Sequence, residues 1–147
     1  MKALVLGVGS PFGADRLGWL AVEALAPHLG DIADLQATDR PGARLLALMR
    51  GRQCVVIIDA LWGVAPGSVH FLRREQLAAS SLPAVHGFGV ADALALADAL
   101  SELPPRVVLV GIGAGQDDTP PAVDWDSVAE GIRGALATEN LADSDYS

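Results

Sequence analysis

The first eighteen residues constrain the fold more than any other stretch of the chain. Residues 3–8 form an apolar run bounded by glycine, which is typical of a buried strand. The glycine-rich stretch 9–14 predicts a loop, and Asp15 follows it directly. Residues 16–29 then carry apolar side chains at the spacing of one helix face, namely Leu17, Leu20, Ala21, Ala24 and Leu25. A strand, a glycine loop, an acid and a helix in this order predict the first turn of an α/β sheet, where ligands commonly bind.

The remaining pattern extends this start into an alternating α/β fold. We expect further strands at 32–38, 54–59, 68–73 and 106–112, and further helices after the second strand, at 91–103 and from Asp126 onward. This order predicts a three-layer αβα sandwich with a five-stranded, twisted, mostly parallel sheet. The stretch 60–67 is too short for a parallel crossover, so we expect the fourth strand to run antiparallel as a hairpin neighbour of the third. The first three strands are expected in the order 2-1-3.

Length, composition and charge limit the class of protein. The chain has 147 residues, of which 51% are hydrophobic, and this predicts a single domain at 1–138 followed by a flexible C-terminal tail at 139–147. Apolar runs are far shorter than the ~20 residues of a membrane span, and the N-terminus lacks a signal-peptide pattern, so we expect a cytoplasmic protein without membrane insertion. The net charge of −8 argues against a nucleic-acid partner.

Two acids and one histidine are candidates for chemistry. Asp15 follows the first strand and Asp59 ends the third, so both carboxylates are expected at the carboxyl edge of adjacent strands. His86, in the irregular stretch 75–89, can reach the same edge. Two carboxylates and an imidazole suit a divalent metal such as zinc or nickel. Each residue also has a structural interpretation, since acids at strand ends often cap helices or form turns, and loop histidines often lie on the surface.

The glycine loop also supports a second interpretation. Gly7, Gly9 and Gly13 after a first strand resemble a dinucleotide-binding fingerprint, and Asp39 stands where an acid would bind the ribose. However, the spacing is GxGxxxG, Pro11 interrupts the turn, and an acid at the helix N-terminus would repel a pyrophosphate. A Rossmann-like nucleotide-binding module is therefore the alternative function.

Three motifs, taken in chain order, resemble those of one family. They are Leu-Gly-Val-Gly-Ser-Pro-Phe-Gly-Ala-Asp-Arg-Leu-Gly at 6–18, Val-Val-Ile-Ile-Asp-Ala at 55–60, and a histidine at 86 before Val-Ala-Asp-Ala-Leu at 90–94. This set resembles the hydrogenase maturation proteases, the endopeptidases that trim the C-terminal tail from the large subunit of nickel–iron hydrogenases. The order of the three motifs makes the resemblance more specific than any one of them.

The resemblance implies a site made of Asp15, Asp59 and His86. In the family these residues engage nickel that is already present in the immature large subunit, so the metal arrives with the substrate and no tightly bound cofactor of the enzyme's own is expected. Asp15 is aligned with the metal-binding acid because Gly18 then keeps its three-residue spacing from it. Asp39, in the family's turn after the second strand, is a secondary candidate. The implied partner is the precursor of a nickel–iron hydrogenase large subunit.

The implied activity is metal-dependent processing of a peptide tail. Holding the tail in register beside the ion lowers the barrier, because it fixes the geometry of the reacting groups. The sequence leaves open whether the ion polarises the carbonyl or activates the water, and which carboxylate accepts the proton. A non-catalytic maturation chaperone on the same fold is a further alternative. It would grip the partner's tail through Trp19 and Trp62.

Overall fold

The computed structural model describes residues 2–9, 16–39, 43–73, 103–114 and 119–146. In chain order the elements in these stretches are β1 (Ala3–Gly9), α1 (Leu17–Leu29), β2 (Ala33–Asp39), α2 (Ala43–Met49), β3 (Cys54–Leu61), β4 (Val69–Arg73), β5 (Arg106–Gly113) and α3 (Trp125–Tyr146). The stretch predicted as irregular at 75–89 lies outside the described residues, as does the helix predicted at 91–103 apart from its last position. No helix in the described stretches combines the length and apolarity needed to cross a membrane.

The five strands form one sheet in the order β2-β1-β3-β5-β4. β1 pairs in parallel with both β2 and β3, and β3 pairs in parallel with β5. The predicted order of the first three strands and the mostly parallel α/β class are confirmed. Parallel strands in the middle of a sheet are covered on both faces, which requires continuous apolar runs. All eight residues of β3 are buried, and all of them except Asp59 are apolar.

The fourth strand runs antiparallel, as predicted, but it is not the neighbour of β3. It pairs with β5, with Phe71 opposite Val110, so β5 lies between β3 and β4. The predicted β3–β4 hairpin was wrong because β5 is the more apolar strand, and a central position buries it on both faces. Gly113 allows the connection to pass the end of β5, because a Cβ there would lie 1.9 Å from the carbonyl oxygen of Ala65.

Helices cover both faces of the sheet, which produces the predicted three layers. α1 and α3 pack on one face, and α2 packs on the other. Successive residues of a strand point to opposite faces, so neighbouring side chains of β3 enter different cores. The first core includes Val5, Leu25, Cys54, Val56, Ile58, Val110 and Ile132. The second core includes Leu6, Val8, Leu45, Met49, Ile57 and Leu109.

α1 packs backbone to backbone against β1 at two glycines. A Cβ on Gly7 would lie 1.9 Å from the carbonyl oxygen of Gly18, and a Cβ on Gly18 would lie 2.2 Å from that of Val8. Both distances are far below van der Waals contact, so a larger residue at either position must push the helix away from the strand. The two glycines therefore fix where α1 begins relative to the end of β1.

The last helix, expected from Asp126 onward, begins at Trp125, and its N-cap is Asp124. Asp124 Oδ1 accepts a hydrogen bond from the Ser127 N–H at 3.2 Å, and its Oδ2 accepts one from the Ser127 hydroxyl at 2.8 Å. Asp126 instead lies 3.1 Å from Nε2 of His28 in the last turn of α1. Asp124 and Asp126 are both acids near the start of α3, and the contact of Asp126 with α1 separates their roles. The helix continues to Tyr146, and the predicted division into a domain at 1–138 and a tail at 139–147 stays a prediction.

The cap predicts a pH-dependent loss of stability. Hydrogen bonds from Ser127 hold the pKa of Asp124 below its usual range. The stabilising contribution of such a carboxylate is present above its unfolded-state pKa of about 3.9, and it is lost as the pH falls through the lower folded-state pKa. We expect Asp124→Ala to lower the thermal midpoint at pH 7 more than Asp126→Ala does. Circular dichroism melts should show this difference shrinking below about pH 4; equal losses at pH 7 would contradict the assignment of the cap.

Candidate active site

Four parallel strands end at the same edge of the sheet, which we call the carboxyl rim. β1 ends at Gly9, β2 at Asp39, β3 at Leu61 and β5 at Gly113. β1 and β3 lie at the point where the strand order changes direction, and in open α/β sheets this is the usual ligand-binding crevice. Asp39 and Asp59, two of the four predicted site residues, are at this rim.

Asp59 is 0% exposed and lies two residues before the end of β3. It is opposite Gly111 of β5, and its Oδ1 accepts a hydrogen bond from the N–H of Ala60 at 2.8 Å. Strand alternation places its side chain on the α2 face of the sheet, together with Ile57 and Leu61. Removing a carboxylate from water is unfavourable unless it is compensated, so an acid in this apolar strand indicates a role other than packing.

Asp39 is exposed and lies on the other face of the rim. It pairs with Gly9 at the end of β1, whereas Asp59 is level with Val8, the preceding residue of β1. Adjacent residues of a strand point to opposite faces, so the two carboxylates point to opposite sides of the sheet. Since β1 lies between β2, which carries Asp39, and β3, which carries Asp59, these two strands are about 10 Å apart. Asp39 and Asp59 therefore share a rim without sharing a face.

The other two predicted site residues fall outside the described part of the chain. Asp15 is in the stretch 10–15, and His86 is in the stretch 74–102. Within the described stretches, no group of three or more His, Cys, Asp or Glu side chains could hold a metal ion. The convergence of Asp15 and His86 with Asp59 thus stays a prediction. The chain re-enters the described part at Arg16, directly before the helix that the glycine contacts seat against β1.

Thr38 is a polar residue at the rim that the sequence analysis missed. It is 3% exposed, and its Oγ1 has no hydrogen-bond partner among the residues that the structure describes. Thr38 pairs with Val8, so it points to the same face as Asp59 from the opposite side of β1. A hydroxyl can both donate and accept a hydrogen bond, so Thr38 adds a polar group to this face. Its position directly before Asp39 was the available signal, because alternation places these two residues on different faces.

The two tryptophans near the rim have different environments. Trp19, on α1, is half-buried, and its Nε1–H donates to the carbonyl oxygen of Thr38 at 2.9 Å. This bond ties the helix to the end of β2, so Trp19 is an anchor of the fold. Trp62 directly follows β3 and is 41% exposed. Of the pair, Trp62 is the one available to a peptide at the rim.

Ser68 and His70 lie close together but do not form a nucleophile and base. The Ser68 hydroxyl donates to the carbonyl oxygen of Ala65 at 2.5 Å, and Nε2 of His70 is 2.9 Å from the same Oγ. Because the hydroxyl proton points at the carbonyl, the histidine acts as the donor to Oγ. The pair closes the turn before β4 and contributes no activated nucleophile.

Comparison with known proteins identifies the family. The model of the hydrogenase maturation protease family matches residues 40–122, a stretch that includes Asp59 and His86. The hydrogenase 2 maturation protease of Escherichia coli (strain K12) is 34% identical over 119 residues, which cover 76% of this chain and 73% of that protein. The chain belongs to the hydrogenase maturation protease family.

Other relatives of the protease agree with this assignment. The structure of the hydrogenase maturating endopeptidase HybD from E. coli matches it with a TM-score of 0.71 and 27% identity, covering 95% of this chain and 94% of that one. The hydrogenase expression/formation protein HupD of Thiocapsa roseopersicina is 32% identical over 119 residues, and this chain spans 53% of its length. The family, the fold and the endopeptidase activity inferred from the sequence are confirmed, which favours the protease hypothesis over the nucleotide-binding alternative.

Proposed function

We propose that the protease removes the C-terminal extension from a nickel-loaded precursor of a nickel–iron hydrogenase large subunit. The observation that carries this proposal is the buried carboxylate of Asp59 at the carboxyl rim, inside the stretch that matches the family. The similarity to the hydrogenase 2 maturation protease supports a hydrogenase subunit as the substrate. The nickel belongs to the substrate, so the enzyme needs no resident metal for this role.

The proposed contacts with the substrate's nickel are Asp15, Asp59 and His86. Carboxylate oxygens and an imidazole nitrogen are suitable donors for this ion. The hydrogen bond from Ala60 and the burial of β3 hold the Asp59 carboxylate in one orientation. Because the Asp59 carboxylate is already fixed, it can bind the nickel and align the precursor's tail with the site at little further cost in entropy. Asp39 lies on the opposite face, so we assign it a secondary contact with the tail at the exposed side of the rim.

Cleavage of the tail requires a positioned peptide, a water and a proton acceptor. A carboxylate can accept the proton of the attacking water, and its efficiency depends on being within hydrogen-bond reach. The Asp59 side chain is buried away from bulk water, which strengthens the electrostatic interactions of its carboxylate. Thr38 supplies a hydroxyl on the same face, where it can hydrogen-bond a peptide group of the tail.

A chaperone on the same fold is the second candidate, and Trp62 is the observation that favours it. Its indole is 41% exposed at the rim, next to the strand that carries Asp59. Such an aromatic side chain can anchor a peptide whether or not the peptide is cut. Trp19 does not add to this surface, because its indole N–H is already bonded to β2.

The test is to mix the protein with a nickel-loaded large-subunit precursor and to follow the precursor's mass. We expect release of a C-terminal peptide from the nickel-loaded precursor and none from the nickel-free one, because the ion positions the tail in the site. His86→Ala should slow release by about 100-fold or more, the usual contribution of a positioned catalytic group. Glu23→Gln, an exposed change on α1, is the control and should match the parent.

Two outcomes would reject the proposal in different ways. A stable complex with an intact, nickel-loaded precursor would favour the chaperone. Measurable affinity for NAD or NADP by calorimetry, without cleavage, would favour the nucleotide-binding module.

A further inference from the structure

A cavity lined by described residues lies at the other end of the sheet from the carboxyl rim. Its volume is about 660 Å³, and it is lined by the starts of β1, β3 and β5 together with part of α3. This volume is within the range of roughly 300–1,000 Å³ that small-molecule sites occupy. Strands of seven or eight residues separate it from the carboxyl rim by about 25 Å. The cavity is therefore distinct from the proposed cleavage site.

The lining of this cavity combines an apolar floor with positive charge. Ile32, Cys54 and Leu136 contribute apolar surface, and the cations Lys2, Arg106 and Arg133 line the same cavity. None of the described residues that line it is acidic. The whole chain has a net charge of −8, with 10 Lys and Arg residues against 18 Asp and Glu. Three of those ten cations thus meet at one cavity of an acidic protein.

Two of the cations are held in place by neighbouring groups. Lys2 Nζ donates to the carbonyl oxygen of Gly30 at 3.2 Å. Arg133 donates to the carbonyl oxygen of His28, and its Nη2 is 3.1 Å from Oδ1 of Asp31. Fixed side chains lose less freedom when a ligand binds, so these contacts prepare the cavity for a partner.

The cations near this cavity lower the pKa of a neighbouring acid, Asp34. The hydrogen bond from Arg52 to Asp34, at 2.8 Å, is the main reason that the pKa of Asp34 lies below its usual range. The charges of Arg52 and Lys2 lower it further. Arg52 also donates to the backbone oxygen of Lys2, so Arg52 and Lys2 are joined at this end of the sheet.

We propose that this cavity binds a small organic anion, one carboxylate or phosphate attached to a compact apolar body. The charged group would lie between Lys2, Arg106 and Arg133, and the apolar body would rest on the floor formed by Ile32, Cys54 and Leu136. The anionic group of the ligand would add charge-assisted hydrogen bonds to the clustered cations, and its apolar body would remove the apolar floor from water. The site is independent of precursor cleavage and remains if the proposed protease function fails.

Hexanoate and its neutral analogue hexanamide test the proposal as matched probes. We expect hexanoate, titrated into the whole protein, to shift the amide NMR signals of Ala3, Cys54 and Ala137. Hexanamide should bind more weakly, and added salt should reduce only the hexanoate affinity, because salt screens charge. Lys2→Gln should weaken hexanoate binding by about threefold, the loss typical of one exposed cation.

Two variants separate a binding defect from a folding defect. Ala137→Glu adds an acid to the exposed edge of the cavity without removing any packed side chain. It should abolish hexanoate binding, and its amide NMR spectrum should remain that of a folded protein. Arg44→Gln, an exposed change on α2 away from the cavity, is the control and should bind like the parent. Equal affinity for the two probes, shifts centred elsewhere, unchanged binding in Ala137→Glu, or no binding of hexanoate would each overturn the proposal.

Discussion

Replacing Asp59 with Asn is expected to reduce cleavage of the nickel-loaded precursor by about 100-fold or more, the usual loss when a positioned acid–base group is removed. The amide has nearly the volume of the carboxylate and keeps an oxygen for the N–H of Ala60, but it carries no charge. It therefore binds a cation poorly and accepts no proton from water. The measurement is the rate of appearance of the shortened precursor by mass spectrometry.

The same variant must be shown to fold before its loss of activity is interpreted. We expect Asp59→Asn to keep the circular dichroism spectrum of the parent, because its backbone pairing and its packing volume are preserved. Glu23→Gln makes the same kind of change on the exposed side of α1 and serves as the matched control. A folded Asp59→Asn protein that cuts the precursor at the parent rate would remove Asp59 from the proposed site.

Gly18→Ala is expected to cause the largest loss of stability among single-methyl additions at the described glycines of the helices. The new Cβ would lie 2.2 Å from the carbonyl oxygen of Val8 and 2.7 Å from its nitrogen. These are backbone atoms of a central strand, so the clash cannot be relieved by rotating a side chain. Overpacking of this kind costs about 1–3 kcal/mol and sometimes more, and we expect the upper end of that range.

Gly134→Ala is the matched comparison for that substitution. Gly134 is on α3, and a Cβ there would have nothing within 4 Å. Alanine is favoured over glycine inside a helix by about 0.5–1 kcal/mol, so this variant should be more stable than the parent. Urea denaturation of the three proteins measures both effects. Equal unfolding free energies for the two variants would show that α1 is not seated on β1 as described.

The contact at Gly18 also connects stability to activity. Gly18 and Gly7 set the start of α1 against the end of β1, where the chain emerges from the stretch that contains Asp15. A shift of α1 would move that end of the stretch relative to Asp59. We therefore propose that the spacing between Asp15 and Gly18 in the sequence motif is a packing requirement of the proposed site.

Sequence reasoning succeeded where one local rule decided the outcome. The apolar run of β3 predicts a central strand without knowledge of its neighbours, because a strand covered on both faces cannot alternate polar with apolar residues. The apolar spacing of α1 predicts its bounds for a similar reason. The motifs around Asp59 and His86 were sufficient to recognise the family, since their order in the chain is itself specific.

Prediction from the sequence was less successful where two candidates satisfied the same local rule. Asp124 and Asp126 are both acceptable helix caps, but Asp126 contacts His28 and Asp124 caps the helix. A short antiparallel strand can pair with either of two neighbours, and β4 lies beside β5 because the more apolar strand takes the inner position. In each case the decision depends on a residue distant in the chain.

The sequence by itself determined the class of fold, the family and the rim at which Asp59 lies, because periodicity and motif order are properties of neighbouring residues. Tertiary structure decided that Asp39 and Asp59 point to opposite faces, that Thr38 joins the face of Asp59, and that cations distant in the chain surround one cavity. These facts depend on strand register and on packing between layers. Register and packing are fixed by contacts between residues far apart in the chain, which a local pattern does not contain.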